Sequence, residues 1–119
     1  MKKQHIEKGK LGEEIACQYL TEQGYDILFR NWKWEKAEID IIAMEGEELV
    51  FVEVRLRTHA EDSPELSIST KKQRLLCQAA SFFAETYNER KYKTVRFDVI
   101  GIHIQHKSPC LSHYKDVFR

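Results

Sequence analysis

Two adjacent segments of alternating character constrain this fold more than any other feature of the sequence. Ala37–Met44 and Leu49–Thr58 are rich in aliphatic and β-branched residues, and the polar segment Glu45–Glu48 separates them. This spacing predicts two strands joined as an antiparallel hairpin, with Gly46 available for an unusual backbone angle in a four-residue loop. The aliphatic face of the second strand must be core, so we expect a β-sheet at the centre of the fold.

The register of this hairpin brings two acidic residues together. Side chains alternate along a strand, and if Met44 pairs with Leu49 across the loop, counting back places Asp40 opposite Glu53. Two opposed carboxylates lie about 5 Å apart and repel each other by roughly 3 kcal/mol at an effective dielectric of about 20. A shared proton or a bound cation would offset this repulsion, and carboxylate oxygens are ligands that Mg²⁺ or Mn²⁺ prefers.

A third carboxylate comes from the first predicted helix. Apolar residues recur at helical spacing from Leu11 to Gln23, and Gly24 is a natural residue to end that helix. Glu13 shares the inward edge of the helix with its apolar residues. Glu13, Asp40 and Glu53 are therefore candidate metal ligands.

Each acid also has a purely structural interpretation. Asp40 and Glu53 would be exposed edge charges if their shared face were solvated, although apolar neighbours on that face favour partial burial. Glu13 would be an ordinary surface residue. The same register places Glu38 opposite Arg55, which fits a cross-strand ion pair. The five histidines and three cysteines show no spaced ligand motif.

The remaining segments predict an α/β domain. A short strand is expected at Tyr25–Arg30, and a second helix begins at a capping box formed by Thr70 and Gln73. Two further strands are expected at Val95–Ile104 and Leu111–Phe118. The boundary of the first of these strands stays open through Lys36, and Thr58–Ser67 predicts an exposed loop. Lys107-Ser108-Pro109 predicts the turn between the last two strands. The order of the elements implies a mixed central β-sheet flanked by helices.

The size and charge of the chain set its broad class. A chain of 119 residues forms one ordinary domain, residues 1–119, and no apolar run is long enough to span a membrane. We therefore expect a cytoplasmic protein with no membrane partner. The 19 Lys and Arg residues balance 19 Asp and Glu residues, so nucleic-acid binding must come from local patches. The candidate phosphate contacts, with solvated surface charge as the alternative, are Arg57, Lys71, Lys72 and Arg74.

Several motifs together resemble one known family. They are Gly9-x-x-Gly12-Glu13, Gly24-Tyr25-x-Ile27-Leu28, Glu38-Ile39-Asp40-x-Ile42-Ala43, Leu49-Val50-Phe51-Val52-Glu53-Val54 and Arg96-Phe97-Asp98-Val99. From about Gly9 to the C-terminus, they resemble the YraN-like family of bacterial proteins. That family is regarded as similar to PD-(D/E)XK nucleases, including archaeal Holliday-junction resolvases, so the resemblance implies a restriction-endonuclease-like α/β core.

The resemblance also implies roles for individual residues. Asp40 matches the first motif acid, Glu53 the second and Glu13 the acid carried by the helix, and all three would be catalytic metal ligands. Their Mg²⁺ or Mn²⁺ would activate water for attack on a phosphodiester. Arg55, the fourth catalytic candidate, stands at the usual lysine position, and Ala37 at a usual glycine. A guanidinium can orient a phosphate but stays protonated, which makes it a poor general base.

Three functions follow as alternatives. The first is a metal-dependent endonuclease acting on DNA, and the second is a noncatalytic nucleic-acid-binding or interaction module that kept the nuclease fold. The third is a metal-free interaction protein that contacts a partner through Trp32, Trp34 and the 58–67 loop. Cutting of branched DNA by paired active sites would require a homodimer.

Overall fold

The computed structural model describes residues 2–57, 68–105 and 108–117. Two helices and five strands follow one another along the chain: α1 (Lys2–Glu22), β1 (Asp26–Trp34), β2 (Ala37–Glu45), β3 (Glu48–Arg57), α2 (Thr70–Thr86), β4 (Thr94–Gln105) and β5 (Ser108–Tyr114). The predicted loop at 58–67 and the predicted turn residue Lys107 lie outside the described residues. No helix in the described ranges is both long and apolar enough to cross a membrane.

The five strands form one mixed sheet in the order β1-β2-β3-β4-β5. β3 and β4 are parallel, and the other neighbouring pairs are antiparallel. A parallel pair needs a long crossover connection, which here contains α2. The predicted α/β architecture, a mixed sheet flanked by helices, is confirmed.

A helix covers each face of the sheet. On one face, Phe83 of α2 belongs to a buried cluster with Phe51, and on the other, Leu20 of α1 belongs to a cluster with Val52. Phe51 and Val52 are neighbours on β3, and both are fully buried. The aliphatic face predicted as core is therefore core, and the opposite face is also buried as far as Glu53.

The hairpin turn is tighter than predicted. Glu45 pairs with Glu48, which leaves a two-residue turn in which Gly46 has a φ of +60°. Met44 still pairs with Leu49, because shortening a loop by one residue on each side leaves the register unchanged. The register prediction is confirmed, although the predicted loop length was wrong.

The C-terminal end of α1 matches the prediction, whereas its start at Lys2, nine residues before Leu11, and the start of α2 differ from it. α1 ends before Gly24, whose φ of +93° is the left-handed conformation that suits glycine after a helix. At α2 the predicted Thr70 cap was wrong, because Thr70 is already helical. Ser69 has the extended backbone of an N-cap residue, and its side chain accepts the Lys72 amide at 3.1 Å.

Two strands differ in extent from the prediction. β1 continues past Arg30 to Trp34, so most of the segment that the sequence left unassigned belongs to this strand. β5 spans Ser108–Tyr114, so the strand predicted at Leu111–Phe118 was placed too far towards the C-terminus. Pro109 belongs to this strand instead of the turn, and an edge strand tolerates proline.

Candidate functional site

The candidate site lies where β2 and β3 part. Their last paired residues are Ile41 and Val52, and Asp40 and Glu53 come next on the two strands. Asp40 Oδ2 accepts a 2.8 Å hydrogen bond from the backbone N–H of Val54. The carboxylate thus satisfies a backbone donor beyond the end of the ladder, and this contact holds Asp40 across the gap beside Glu53. The structure brings these two acids together.

The negative charge of Asp40 is disfavoured in this position. Burial and then repulsion by Glu53 raise the pKa of Asp40 to about 8, assisted by a side-chain hydrogen bond between the two acids and opposed by the Val54 N–H. The raised pKa favours a protonated Asp40 at neutral pH, hydrogen-bonded to Glu53. A shared proton is one of the two ways in which such a repulsion can be offset, and a bound cation is the other.

Two basic side chains converge on Glu53. This carboxylate is almost completely buried, with 4% of its side-chain surface exposed. Lys72 of α2 places Nζ 2.6 Å from Glu53 Oε2, and Arg55 of β3 places Nη1 3.4 Å from the same oxygen. A buried carboxylate needs such partners to offset the loss of its hydration. Positive charge is therefore supplied to the acid pair on the side of Glu53.

Asp40, Glu53, Arg55 and Lys72 line one cleft of about 500 Å³. The other lining residues are Lys36, Ala37, Glu38, Val54, Leu56, Leu75 and Leu76. The walls come from the diverging strands β2 and β3 and from the first turns of α2. The cleft presents carboxylates and cations to the same volume, which suits a phosphate ester held beside a metal ion.

Glu13 is not among the residues that line this cleft. Its Oε1 accepts a 2.9 Å hydrogen bond from Asn31 Nδ2 of β1, and its charge contributes to the raised pKa of Asp40. Among the described residues, no group of three or more histidine, cysteine, aspartate or glutamate side chains is close enough together to hold a metal ion. The structure therefore assembles Asp40 and Glu53 as a pair, and the predicted third ligand faces Asn31.

The two carboxylates fit a divalent ion. Mg²⁺ is commonly held by one or two carboxylates, with water and substrate phosphate completing its coordination, and Mn²⁺ accepts the same oxygen ligands. An ion bound by both acids would displace the proton of Asp40, and an ion bound through Glu53 Oε2 would also displace Lys72 from that oxygen. The two positive charges of the ion would then replace those of the proton and the ammonium.

The structure separates the predicted DNA contacts into two groups. Lys71 and Arg74 are exposed on α2, as a phosphate contact requires. Lys72, predicted as a third contact on this helix, lines the cleft and pairs with Glu53. The side chain of Arg57, predicted as a further contact, lies outside the described residues.

The predicted ion pair between Glu38 and Arg55 would lie beyond the end of the β2–β3 ladder. Glu38 pairs with Lys33 of β1 at 3.6 Å, and Arg55 pairs with Glu53. β2 and β3 separate before they reach Glu38 and Arg55. The hairpin register therefore does not predict the ion-pair partners of these two residues.

A second buried acid was not identified in the sequence. Asp98 of β4 is completely buried and is hydrogen-bonded to Arg96 Nε at 3.0 Å, to His113 Nε2 at 2.7 Å and to the Asp116 amide at 3.0 Å. Arg96 and Asp98 are part of a family motif, but two of the three partners come from β5 and the residues after it. The only local signal was a pair of opposite charges in an otherwise apolar strand.

The chain is similar in sequence to one family of proteins. A model of the uncharacterised protein family UPF0102 matches residues 12–102. A UPF0102 protein of Flavobacterium johnsoniae is 38% identical over 119 residues, covering 97% of this chain and 96% of its own length. One of Rhodococcus opacus is 40% identical over 113 residues, covering 92% of this chain and 94% of its own length.

Among solved structures, the structure of Pyrococcus furiosus SfsA in complex with Ca²⁺ is similar with a TM-score of 0.43 and 14% identity. That match covers 94% of this chain and 63% of the SfsA chain.

The resemblance of the motifs to the YraN-like family is confirmed by the sequence matches. The chain belongs to the UPF0102 family.

Proposed function

We propose that this protein is a metal-dependent endonuclease that hydrolyses phosphodiester bonds in DNA. The observation that carries the proposal is the pair Asp40 and Glu53, two acids that repel each other when both are ionised, in a cleft that also presents Arg55 and Lys72. Their repulsion makes the pair an acceptor for a divalent ion, and the neighbouring cations suit a phosphate. The resemblance of the motifs to PD-(D/E)XK nucleases supports the same function.

Each residue of the site would have a separate task. Mg²⁺ or Mn²⁺ bound by Asp40 and Glu53 would supply an activated water and offset the charge of the phosphate. The Val54 N–H holds the Asp40 carboxylate in place. Arg55 would orient a nonbridging phosphate oxygen, since a guanidinium presents paired donors. Glu13 would act at longer range, because its charge increases the negative potential at Asp40.

Apart from the scissile phosphate, the DNA would be held outside the cleft. Lys71 and Arg74, exposed on α2, would contact backbone phosphates, which positions a duplex without reading its sequence. A function on the DNA of the cell itself would place the protein in the cytoplasm. Symmetrical cutting of branched DNA would need two copies of the chain, and sedimentation with and without a four-way junction tests for that homodimer.

Cleavage assays test the proposed activity. Wild type is incubated with branched, single-stranded and duplex DNA in Mg²⁺ or Mn²⁺, beside Asp40→Asn, which keeps an acceptor for the Val54 N–H but removes a charged ligand. We expect wild type to cut at least one substrate and the variant to lose about 10²-fold or more, the scale for removing one charge-stabilising group. Equal cutting by the two proteins, or none by wild type, contradicts the proposal.

A noncatalytic DNA-binding module is the second candidate, and the arginine at the usual lysine position favours it. Arg55 stays protonated, so it does not carry a proton to or from a reacting water as a lysine can. DNA binding would then depend on Lys71, Arg74 and the salt concentration instead of a metal. Salt-sensitive binding that is unchanged by EDTA and by Asp40→Asn, without cleavage, would establish this alternative.

A further inference from the structure

Lys72 brings an ammonium group to the cleft from an element other than β3. On β3, Arg55 occupies the position where the resemblance to PD-(D/E)XK nucleases implies a lysine. Lys72 Nζ lies 2.6 Å from Glu53 Oε2, closer than Arg55 Nη1 at 3.4 Å. The Lys72 side chain is 45% exposed, so it reaches the buried acid from the solvent side. The cleft therefore contains a lysine that can face either the acid pair or a bound molecule.

The start of α2 holds Lys72 beside the cleft. Its backbone amide donates to Ser69 Oγ at 3.1 Å, and Gln73 Nε2 donates to the Ile68 carbonyl oxygen at 3.0 Å. These contacts secure the first turn of the helix. The positive end of the helix dipole disfavours a cation in that turn, and the attraction to Glu53 offsets this cost. Lys72 is therefore positioned by its attraction to the acid as well as by the backbone.

We propose that the Lys72 ammonium and a divalent ion are alternative partners of Glu53, and that ion binding releases the ammonium to the scissile phosphate. This inference rests on the proposed function, since it requires ion binding by Asp40 and Glu53. A divalent ion on Glu53 Oε2 would repel an ammonium 2.6 Å from the same oxygen. The phosphate is then the nearest anion for the released ammonium, whose three donors suit nonbridging oxygens. Lys72 thus binds the substrate phosphate when the ion is present.

A purely structural ion pair is the alternative for Lys72. In that case the ammonium only neutralises Glu53, with or without an ion in the cleft. Removing Lys72 would then change DNA affinity equally in the two conditions. Under the proposal, Lys72 contacts DNA only when the ion has displaced it from Glu53, so the effect of its removal depends on the ion.

Calorimetric titration with Mn²⁺ alone tests the competition for Glu53. Lys93→Met is the matched control for Lys72→Met, because Lys93 also pairs with a glutamate, Glu47, at 3.5 Å, but beside the hairpin turn. We expect Lys72→Met to bind Mn²⁺ about tenfold more tightly than wild type and Lys93→Met to match wild type. Thermal unfolding first shows that both variants are folded. Unchanged or weaker affinity in Lys72→Met, or no Mn²⁺ binding by any of the proteins, overturns the proposal.

DNA affinity tests the release to phosphate. The anisotropy of a labelled duplex is measured in EDTA and at saturating Mn²⁺. Lys72→Met should weaken binding about tenfold in Mn²⁺ and about twofold or less in EDTA, because the ammonium is free only in the first condition. Equal losses in the two conditions overturn the proposal. If wild type shows this pattern but cuts no DNA, the nuclease proposal fails while the Lys72 proposal stands.

Discussion

Asp40 and Asp98 lie in the same sheet, but the groups around Asp98 stabilise its negative charge, whereas those around Asp40 disfavour it. Asp98 is hydrogen-bonded to the Arg96 side chain, to His113 and to a backbone amide, at distances from 2.7 to 3.2 Å. Asp40 accepts one hydrogen bond from the Val54 N–H and faces a second acid. Hydrogen-bond donors surround the Asp98 carboxylate, whereas the Asp40 carboxyl group has one backbone donor beside a second acid.

The pKa values of the two carboxyl groups move in opposite directions as a result. Burial acts to raise the pKa of Asp98, but hydrogen bonds from His113 and Arg96 lower it below its ordinary value. For Asp40, burial and the charge of Glu53 raise the pKa to about 8. An acid with complete compensation stabilises the folded chain, whereas one that needs a proton or a cation is suited to function.

Asp98→Ala should have the largest effect on stability. The change removes the acceptor that the His113 ring shares with the Arg96 guanidinium, which keeps Glu45 and Glu48 as partners. We expect the free energy of unfolding to fall by about 3 kcal/mol, the lower end of the usual cost of removing one partner of a buried ion pair, because Arg96 is not left without an acid. Urea unfolding measures this loss. Asp26→Ala, which removes an exposed ion pair with Arg90, should cost less than about 1 kcal/mol, and similar losses in the two variants would contradict a structural role for Asp98.

Asp40→Asn should increase stability, and the gain should depend on pH. In wild type the folded pKa is raised, so the stabilising contribution of protonated Asp40 is complete below its ordinary value of 3.8 and is lost as pH rises through about 8. Asparagine does not ionise and keeps an acceptor for the Val54 N–H. In EDTA, we expect Asp40→Asn to exceed wild type by about 1–3 kcal/mol near pH 9 and by much less near pH 5.

Urea unfolding of the two proteins across this pH range provides the measurement. Glu38→Gln, which changes another acid of the cleft, is the matched control, and the pH-dependent gain should be larger for Asp40→Asn than for this variant. A constant difference between Asp40→Asn and wild type would mean that Asp40 holds no extra proton in the folded state. The contrast with Asp98 would then be lost.

The acid pair was predictable because it depends on local rules. Side chains alternate with a period of two, so the pairing of Met44 with Leu49 specified the partner of Asp40 even though the loop length was wrong. Gly24 was likewise sufficient to mark the end of α1. The order of helices and strands followed from periodicity and turn residues, and it determined the mixed sheet.

The partners of the other charged groups depend on tertiary contacts that local patterns do not contain. His113 lies 15 residues from Asp98 in sequence, on β5, a strand that begins three residues before its predicted start. Glu13 accepts a hydrogen bond from Asn31, which lies in the part of β1 that the sequence did not assign to a strand or a connection. Lys72 fell outside the apolar stripe of its helix and was grouped with solvent-facing Lys71, but its long side chain reaches around the helix edge to the cleft.

Tyr19→Phe should have the smallest effect, and it tests how far the compensation of Asp98 extends. The Tyr19 hydroxyl is hydrogen-bonded to His113 Nδ1 at 2.9 Å, and His113 Nε2 is hydrogen-bonded to Asp98. Removing the hydroxyl should lower the free energy of unfolding by about 0.5–1.5 kcal/mol, the usual net value of one hydrogen bond. The Mn²⁺ affinity of the acid pair should stay unchanged, because the hydroxyl supports a different carboxylate.

Urea unfolding and Mn²⁺ calorimetry of the same variant separate these two effects. Tyr87→Phe is the control for losing a tyrosine hydroxyl, since the Tyr87 ring packs against Phe83 on the α2 side of the sheet, and it should stay within about 0.5 kcal/mol of wild type. If Tyr19→Phe changed Mn²⁺ affinity as much as Lys72→Met, the charges around Asp98 and those of the cleft would form one coupled network. Asp98 would then contribute to ion binding as well as to stability, and the two aspartates would differ in degree instead of in kind.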